Sequence, residues 1–170
     1  MMKIIHVLFI IYVYALFKII LFKFGPIDIS FLWQQLKQSL GNPTMIGSRL
    51  QQGNLIPFHE ISRTIHDVSN HALFNLIGNI AIFMPFGIFL GLMARNKSIS
   101  TIGVFIRSLG LSLCLESAQV IFAIGNFDVD DLILNASGGV MGFIVHKLCG
   151  SLLSKYVLLT KRGRMKTRYV

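Results

Sequence analysis

Four stretches of the chain are apolar over about 20 residues each, the length a helix needs to cross roughly 30 Å of hydrocarbon. They run near Ile4–Phe24, Ala72–Met93, Thr101–Ala123 and Leu132–Cys149. A chain of 170 residues that commits so much of its length to such runs has too little left to coat a water-soluble surface. Charged side chains make up only 14% of it and hydrophobic ones 54%, against about 25% and 45–50% in ordinary soluble domains. The expected fold class is therefore all-α: a polytopic membrane protein built as a bundle of four transmembrane helices. Two of the three connections, 95–100 and 124–130, are short enough to make antiparallel neighbours of the helices they join. The whole of 1–170 then reads as one membrane domain. The third connection, 25–71, is the only sizeable extramembrane segment, and Gly25-Pro26, Gly41-Asn42-Pro43, Gly53-Asn54 and Pro57 punctuate it as turns.

The net charge of +9 would point to nucleic acid in a soluble protein, but in this context it describes topology. With four spans, Lys3, Arg95, Lys97 and the tail from Lys147 through Lys155 and Lys161 to Arg168 share one side. Cytoplasmic loops carry the excess of Lys and Arg, so both termini are expected in the cytoplasm and 25–71 outside. Nucleic acid is not an expected partner; membrane lipid is. The first span lacks a small-residue cleavage site and reads as a retained anchor, with Lys18 and Lys23 snorkelling or facing the bundle. The tail, 150–170, is expected to rest on anionic lipid. Trp33 with Phe31, Leu32 and Leu36 suggests a short amphipathic piece at the outer interface.

Polar residues inside the spans carry the functional information. Asn75 and Asn79 lie four apart on one face of the second span, followed by Pro85, which leaves a backbone carbonyl without its helical donor. On the third, Ser108, Ser112, Glu116 and Gln119 form a stripe that cannot face lipid. On the fourth, Asp128, Asp131 and Asn135 recur every three to four residues above Gly138, Gly139 and Gly142, a smooth face that admits a close neighbour. Counting helical rise from the outer ends puts Asn75, Asn79, Glu116, Gln119, Asp131 and Asn135 in one layer about 5–12 Å deep. A carboxylate at such depth costs about 2.5–3.5 kcal/mol on insertion scales, so an outward-opening polar pocket is the expected arrangement. Glu116 can equally be a hydrogen-bonded strut between helices. Cys114 and Cys149 differ in depth by about 15 Å and are expected as unbridged, buried thiols. His59, His66 and His71 have spacings that match no common zinc motif, so no metal and no cofactor are expected.

Taken together, Asn75-x3-Asn79-x3-Phe83-Met84-Pro85-Phe86-Gly87, Glu116-Ser117-Ala118-Gln119, Phe127-Asp128-Val129-Asp130-Asp131 and Asn135-Ala136-Ser137-Gly138-Gly139 resemble the VanZ-like membrane proteins. So does Asn54-Leu55-Ile56-Pro57-Phe58, and the resemblance covers roughly residues 4–146. It is specific as a set. It implies a polytopic protein of Gram-positive-type membranes, associated in the member that names the family with resistance to teicoplanin-like lipoglycopeptides. Three chemistries fit the pocket. It could recognise a lipid, a lipid-linked cell-wall precursor or a lipoglycopeptide, which needs no further catalytic part and is the preferred reading. It could be an enzyme acting on a cell-envelope lipid, with Glu116 as general acid or base and Asp131 or Asp128 as its partner. It could be a carrier, although four spans without repeats give little scope for alternating access.

Overall fold

The computed structural model describes residues 2–22, 25–66, 70–94 and 99–166, with the backbone alone at 66, 70–72, 155 and 157–166. Lys23, Arg95, Lys97 and Arg168 lie outside the described residues, as do the side chains of His66, His71 and the basic tail from Lys155 onward. The described chain is helical almost throughout: α1 Met2–Phe22, α2 Ile29–Gly41, α3 Pro43–Gln51, α4 His59–His66, α5 Asn70–Met93, α6 Thr101–Phe122 and α7 Val129–Lys166. Four of these are long and apolar enough to span a membrane, over Met2–Phe22, Leu73–Met93, Thr101–Phe122 and Val129–Ser154. The protein is thus an all-helical, polytopic membrane protein.

The helix ends follow local chemistry. Asp28 accepts a hydrogen bond from the Phe31 N–H at 3.0 Å and caps α2, Pro43 opens α3, and Ser100 caps α6 through the Gly103 N–H. α6 ends on Ala123, which adopts the left-handed conformation at φ 52°. Asp128 caps α7, its Oδ1 accepting the Asp130 N–H at 2.8 Å, so α7 starts three residues earlier than the hydropathy pattern places it. At its other end α7 runs through Gly150 to Lys166 without a break. Neither proline nor a turn pair follows Gly150, and a single glycine costs a helix only about 1 kcal/mol.

α7 is the centre of the bundle, packed on α5 and α6. A Cβ on Gly138 would strike the Ile80 carbonyl, one on Gly142 the Met84 carbonyl, and one on Gly87 the Gly139 carbonyl. These glycines let the α5 and α7 backbones touch. α1 packs on α5 through Phe9, whose ring centroid is 5.9 Å from that of Phe86 and 5.6 Å from that of Phe89. Tyr12 Oη donates to the Ile82 carbonyl at 2.7 Å, next to the Ala81 carbonyl that Pro85 deprives of its helical donor. Leu16, Phe83, Phe86, Leu90, Val104, Leu115 and Phe143 form the apolar core between these helices.

The α6 stripe faces inward as its period requires, with Ser108, Ser112, Glu116 and Gln119 all buried. The cysteines differ from expectation: Cys114 and Cys149 are unbridged but exposed on the bundle surface, because the glycines and the polar stripe, not the thiols, occupy the packed faces. Arg107 is also exposed and turns back along α6, donating to the Gly103 carbonyl at 3.0 Å.

Candidate functional site

The segment between the first two spans is a structured cap on one end of the bundle. Ser39 on α2 donates to the Ile121 carbonyl at 2.7 Å. Arg49 on α3 donates to the Val120 carbonyl at 3.1 Å, to Ser39 Oγ at 3.0 Å and to Gln35 Oε1 at 3.2 Å. Val120 and Ile121 lie in the last turn of α6, where carbonyls lack their full helical donors and the helix dipole is negative; the Val120 carbonyl otherwise takes only the Ala123 N–H, at 3.3 Å, among the described residues. A guanidinium and a hydroxyl from the cap satisfy both.

A second seam joins 53–61 to the start of α7. Asn54 and Asp128 form a short parallel bridge, with the Asn54 N–H on the Phe127 carbonyl and the Val129 N–H on the Asn54 carbonyl, both at 2.9 Å. Asn54 Nδ2 donates to Asp128 Oδ1 at 2.9 Å. Asp130, only 1% exposed, accepts from the backbone N–H groups of Phe58, Glu60 and Ile61 at 2.5, 2.7 and 3.1 Å. Those are the orphan donors at the start of α4, so Asp130 caps that helix from another element. Phe58 takes a positive φ of 64° to present its N–H there, a conformation unusual for a bulky residue.

Between the cap and the spans lies a cavity of about 1170 Å³. Asn75, Asn79, Gln119, Asp128 and Asp131 line it, together with His59 and Glu60 of α4. Asn79 Nδ2 donates to Asp131 Oδ1 across the α5–α7 contact, and Gln119 Nε2 donates to the Ile20 carbonyl at 3.1 Å, tying α6 to α1. Asn75 is exposed at the edge. Ile19, Ile20, Leu76, Ile82 and Leu134 form its apolar wall.

Glu116 and Asn135 lie beneath the cavity and do not line it. Glu116 is 1% exposed and its Oε2 accepts the Asp128 N–H at 2.9 Å, holding the turn that begins α7. Asn135 Nδ2 donates to Ser112 Oγ at 2.9 Å, while Asn135 Oδ1 and Ser108 Oγ are buried without a protein partner among the described residues. Five of the seven residues singled out from sequence thus share the cavity lining, and two form the polar layer below it. The histidines stay apart from any metal-like arrangement: His59 lies 3.4 Å from Glu60, and no group of three potential ligands forms among the described residues.

The chain that carries this site is similar to known proteins. The profile of the VanZ/LLP1 family matches residues 9–150, which is most of the chain and includes every residue of the cavity. The chain belongs to the VanZ/LLP1 family. Among its curated relatives, Protein VanZ of Enterococcus faecium is 41% identical over 73 residues, 43% of this chain. The match spans 44% of that protein's own length. No solved structure matches the chain. Within this VanZ/LLP1 framework, Asp130 and Arg49 are the residues that sequence reasoning left without a role. Asp130 sits among conspicuous aspartates, but nothing local announces that its donors come from 70 residues away. Arg49 reads in the sequence only as a charge on the minority side of the topology.

Proposed function

We propose that this VanZ-family protein modulates susceptibility to teicoplanin-like lipoglycopeptides by binding a lipid or cell-wall component in the cavity under its cap. The observation that carries this reading is the cavity itself, about 1170 Å³, with amide and carboxylate side chains on one side and an aliphatic wall on the other. Pockets that hold drug-sized ligands run to about 300–1,000 Å³, so the volume suits a lipid head with the first part of its chain. The basic bias of the termini supports a cavity opening to the outer leaflet, where such components meet the antibiotic. Glu116 supports binding over chemistry: it is a buried carboxylate that is not part of the cavity lining and accepts the Asp128 N–H, which positions α7.

The test compares resistance and lipid chemistry in one host. A susceptible Gram-positive strain expressing graded amounts of the protein should show protection that rises with copy number while antibiotic and wall lipids stay chemically unchanged. Asn79→Leu and Asp131→Leu should each remove most of that protection at normal abundance, and the double variant should lose little more, because the two side chains form one contact that either change breaks. A new lipid or wall product formed at substoichiometric protein would overturn the binding reading.

A further inference from the structure

α1 changes partner on its way to the cap. Near its middle it is held against α5, with the Phe9 ring on those of Phe86 and Phe89 and Tyr12 Oη on the Ile82 carbonyl. About two turns later the tie is to another helix, for the Ile20 carbonyl accepts from Gln119 Nε2 of α6. The wedge between α1 and α5 belongs to the cavity, with Ile19 and Ile20 on one side and Phe74, Gly78 and Ile82 on the other. The Tyr12 contact with Ile82 marks its closed end. Ile82 lies nine positions beyond Leu73, where the span begins, or about 14 Å at 1.5 Å per residue. That is close to half of the roughly 30 Å of hydrocarbon, so the wedge runs from the cap to the depth of one leaflet.

The wedge is open at its side. Phe74 is 77% exposed although it lines the cavity from within a span. Gly78, one turn further on, is also exposed, and an added Cβ there would meet nothing within 4 Å. An opening walled by Ile and Phe at that depth favours hydrocarbon over water. Leu55 and Ile56 of the cap line the same cavity and are themselves 51% and 65% exposed. Their backbone is fixed: Asn54 is bridged to Asp128, the Ile56 N–H donates to Asn54 Oδ1 at 3.2 Å, and the Phe58 N–H is held by Asp130. Residues 55–58 thus present four consecutive exposed apolar side chains on a rigid turn, a display that suits lipid and not water. The exposed polar residues of the lining, Gln51, Gln52 and Asn126, lie instead at the end of α3 and in the turn before α7.

We propose that the wedge between α1 and α5 is a lateral portal, through which the cavity takes one hydrocarbon chain of a bilayer lipid from the leaflet on the cap side while the lipid head stays at the polar rim. This rests on the proposed role of the cavity as a site for a lipid or cell-wall component. It narrows the ligand to a chain-bearing lipid that is captured without leaving the membrane.

Photolabelling of the full chain in nanodiscs tests the route. The probe is phosphatidylglycerol with a diazirine on one acyl chain, and adducts are mapped by peptide mass spectrometry. The native protein should carry adducts at Ile82 and Leu134 on the cavity wall, and at Ile11, which is 58% exposed on the surface of α1. Gly78→Phe places a ring in the open space of the wedge and should lower the adducts at Ile82 and Leu134 severalfold while those at Ile11 are unchanged. Gly78→Leu carries the same expectation if Gly78→Phe fails to accumulate. Adducts at Ile82 and Leu134 that persist in the plugged protein would overturn the lateral portal alone, since the cavity would then fill over its polar rim. Adducts at Ile11 with none at Ile82 or Leu134 in the native protein would overturn the portal together with the cavity's proposed role.

Discussion

Asp130 connects two parts of the chain that no local pattern links, and the connection runs through three backbone N–H groups that have no other acceptor among the described residues. Leaving a buried donor unsatisfied costs about 1–3 kcal/mol, so Asp130→Ala should release the start of α4 while the spans hold. Hydrogen exchange in detergent checks this: the Phe58, Glu60 and Ile61 amides should be protected in the native protein and exchange at least about tenfold faster in the variant. Unchanged protection would mean that the cap is held elsewhere. Glu116 makes the complementary case. Glu116→Gln preserves an acceptor for the Asp128 N–H and should leave abundance and resistance near native values, whereas Glu116→Leu strands that N–H and should lower thermal stability by about 1–3 kcal/mol. Loss of resistance in a stable Glu116→Gln would instead give the carboxyl a chemical role. The period of the α6 stripe made the burial of Glu116 legible in the sequence. Its partner was not, because a backbone N–H on another element leaves no mark in side-chain spacing.

At the scale of elements, the α5–α7 contact depends on side chains that are absent. Gly87, Gly138 and Gly142 each face a carbonyl of the opposing helix, and a methyl group there must push two backbones apart. Gly138→Ala and Gly142→Ala should therefore reduce membrane abundance severalfold and lower the midpoint of thermal unfolding, as overpacking typically costs about 1–3 kcal/mol. Gly110 on α6 has nothing within 4 Å of an added Cβ, so Gly110→Ala should be neutral or gain up to about 1 kcal/mol of helix propensity. Equal tolerance at all three positions would remove the close approach from the account. The glycine face was readable from spacing alone, since small residues every three to four positions have few other uses in a span. The extramembrane segment was readable only in part. Its turn residues marked breaks, and Asp28 and Pro43 do open helices, yet α2, α3 and α4 are short and draw stability from tertiary caps such as Arg49 and Asp130. The position of α2 is consistent with an interfacial role, with Trp33 exposed and the Lys37 ammonium 5.2 Å from its ring centroid.

Over the whole molecule, charge is segregated along the bundle axis. Every acidic residue of the sequence falls between 28 and 67 or between 116 and 131. Lys3 and Lys147 lie toward the far end, and the basic run of the sequence follows Lys147. α7 is 38 residues, about 57 Å at 1.5 Å per residue, against about 30 Å of hydrocarbon, so its C-terminal turns emerge from the membrane on the basic side. A polar segment that long on the acidic side and a basic run on the other lead the positive-inside rule to predict the cap outside and both termini in the cytoplasm. Cysteine labelling tests this directly, because Cys114 and Cys149 make no disulfide and can be replaced by alanine to give a silent background. Ser30 is exposed at the start of α2, and Ser154 is exposed at the end of the fourth span. Ser30→Cys should react with a membrane-impermeant maleimide in intact cells, and Ser154→Cys only after permeabilisation. Reaction of both from outside would require an odd number of crossings to become even between them and would end the four-span topology. The reverse pattern would keep the four spans and invert the protein, moving the cavity to the inner leaflet and away from any antibiotic that acts at the outer one.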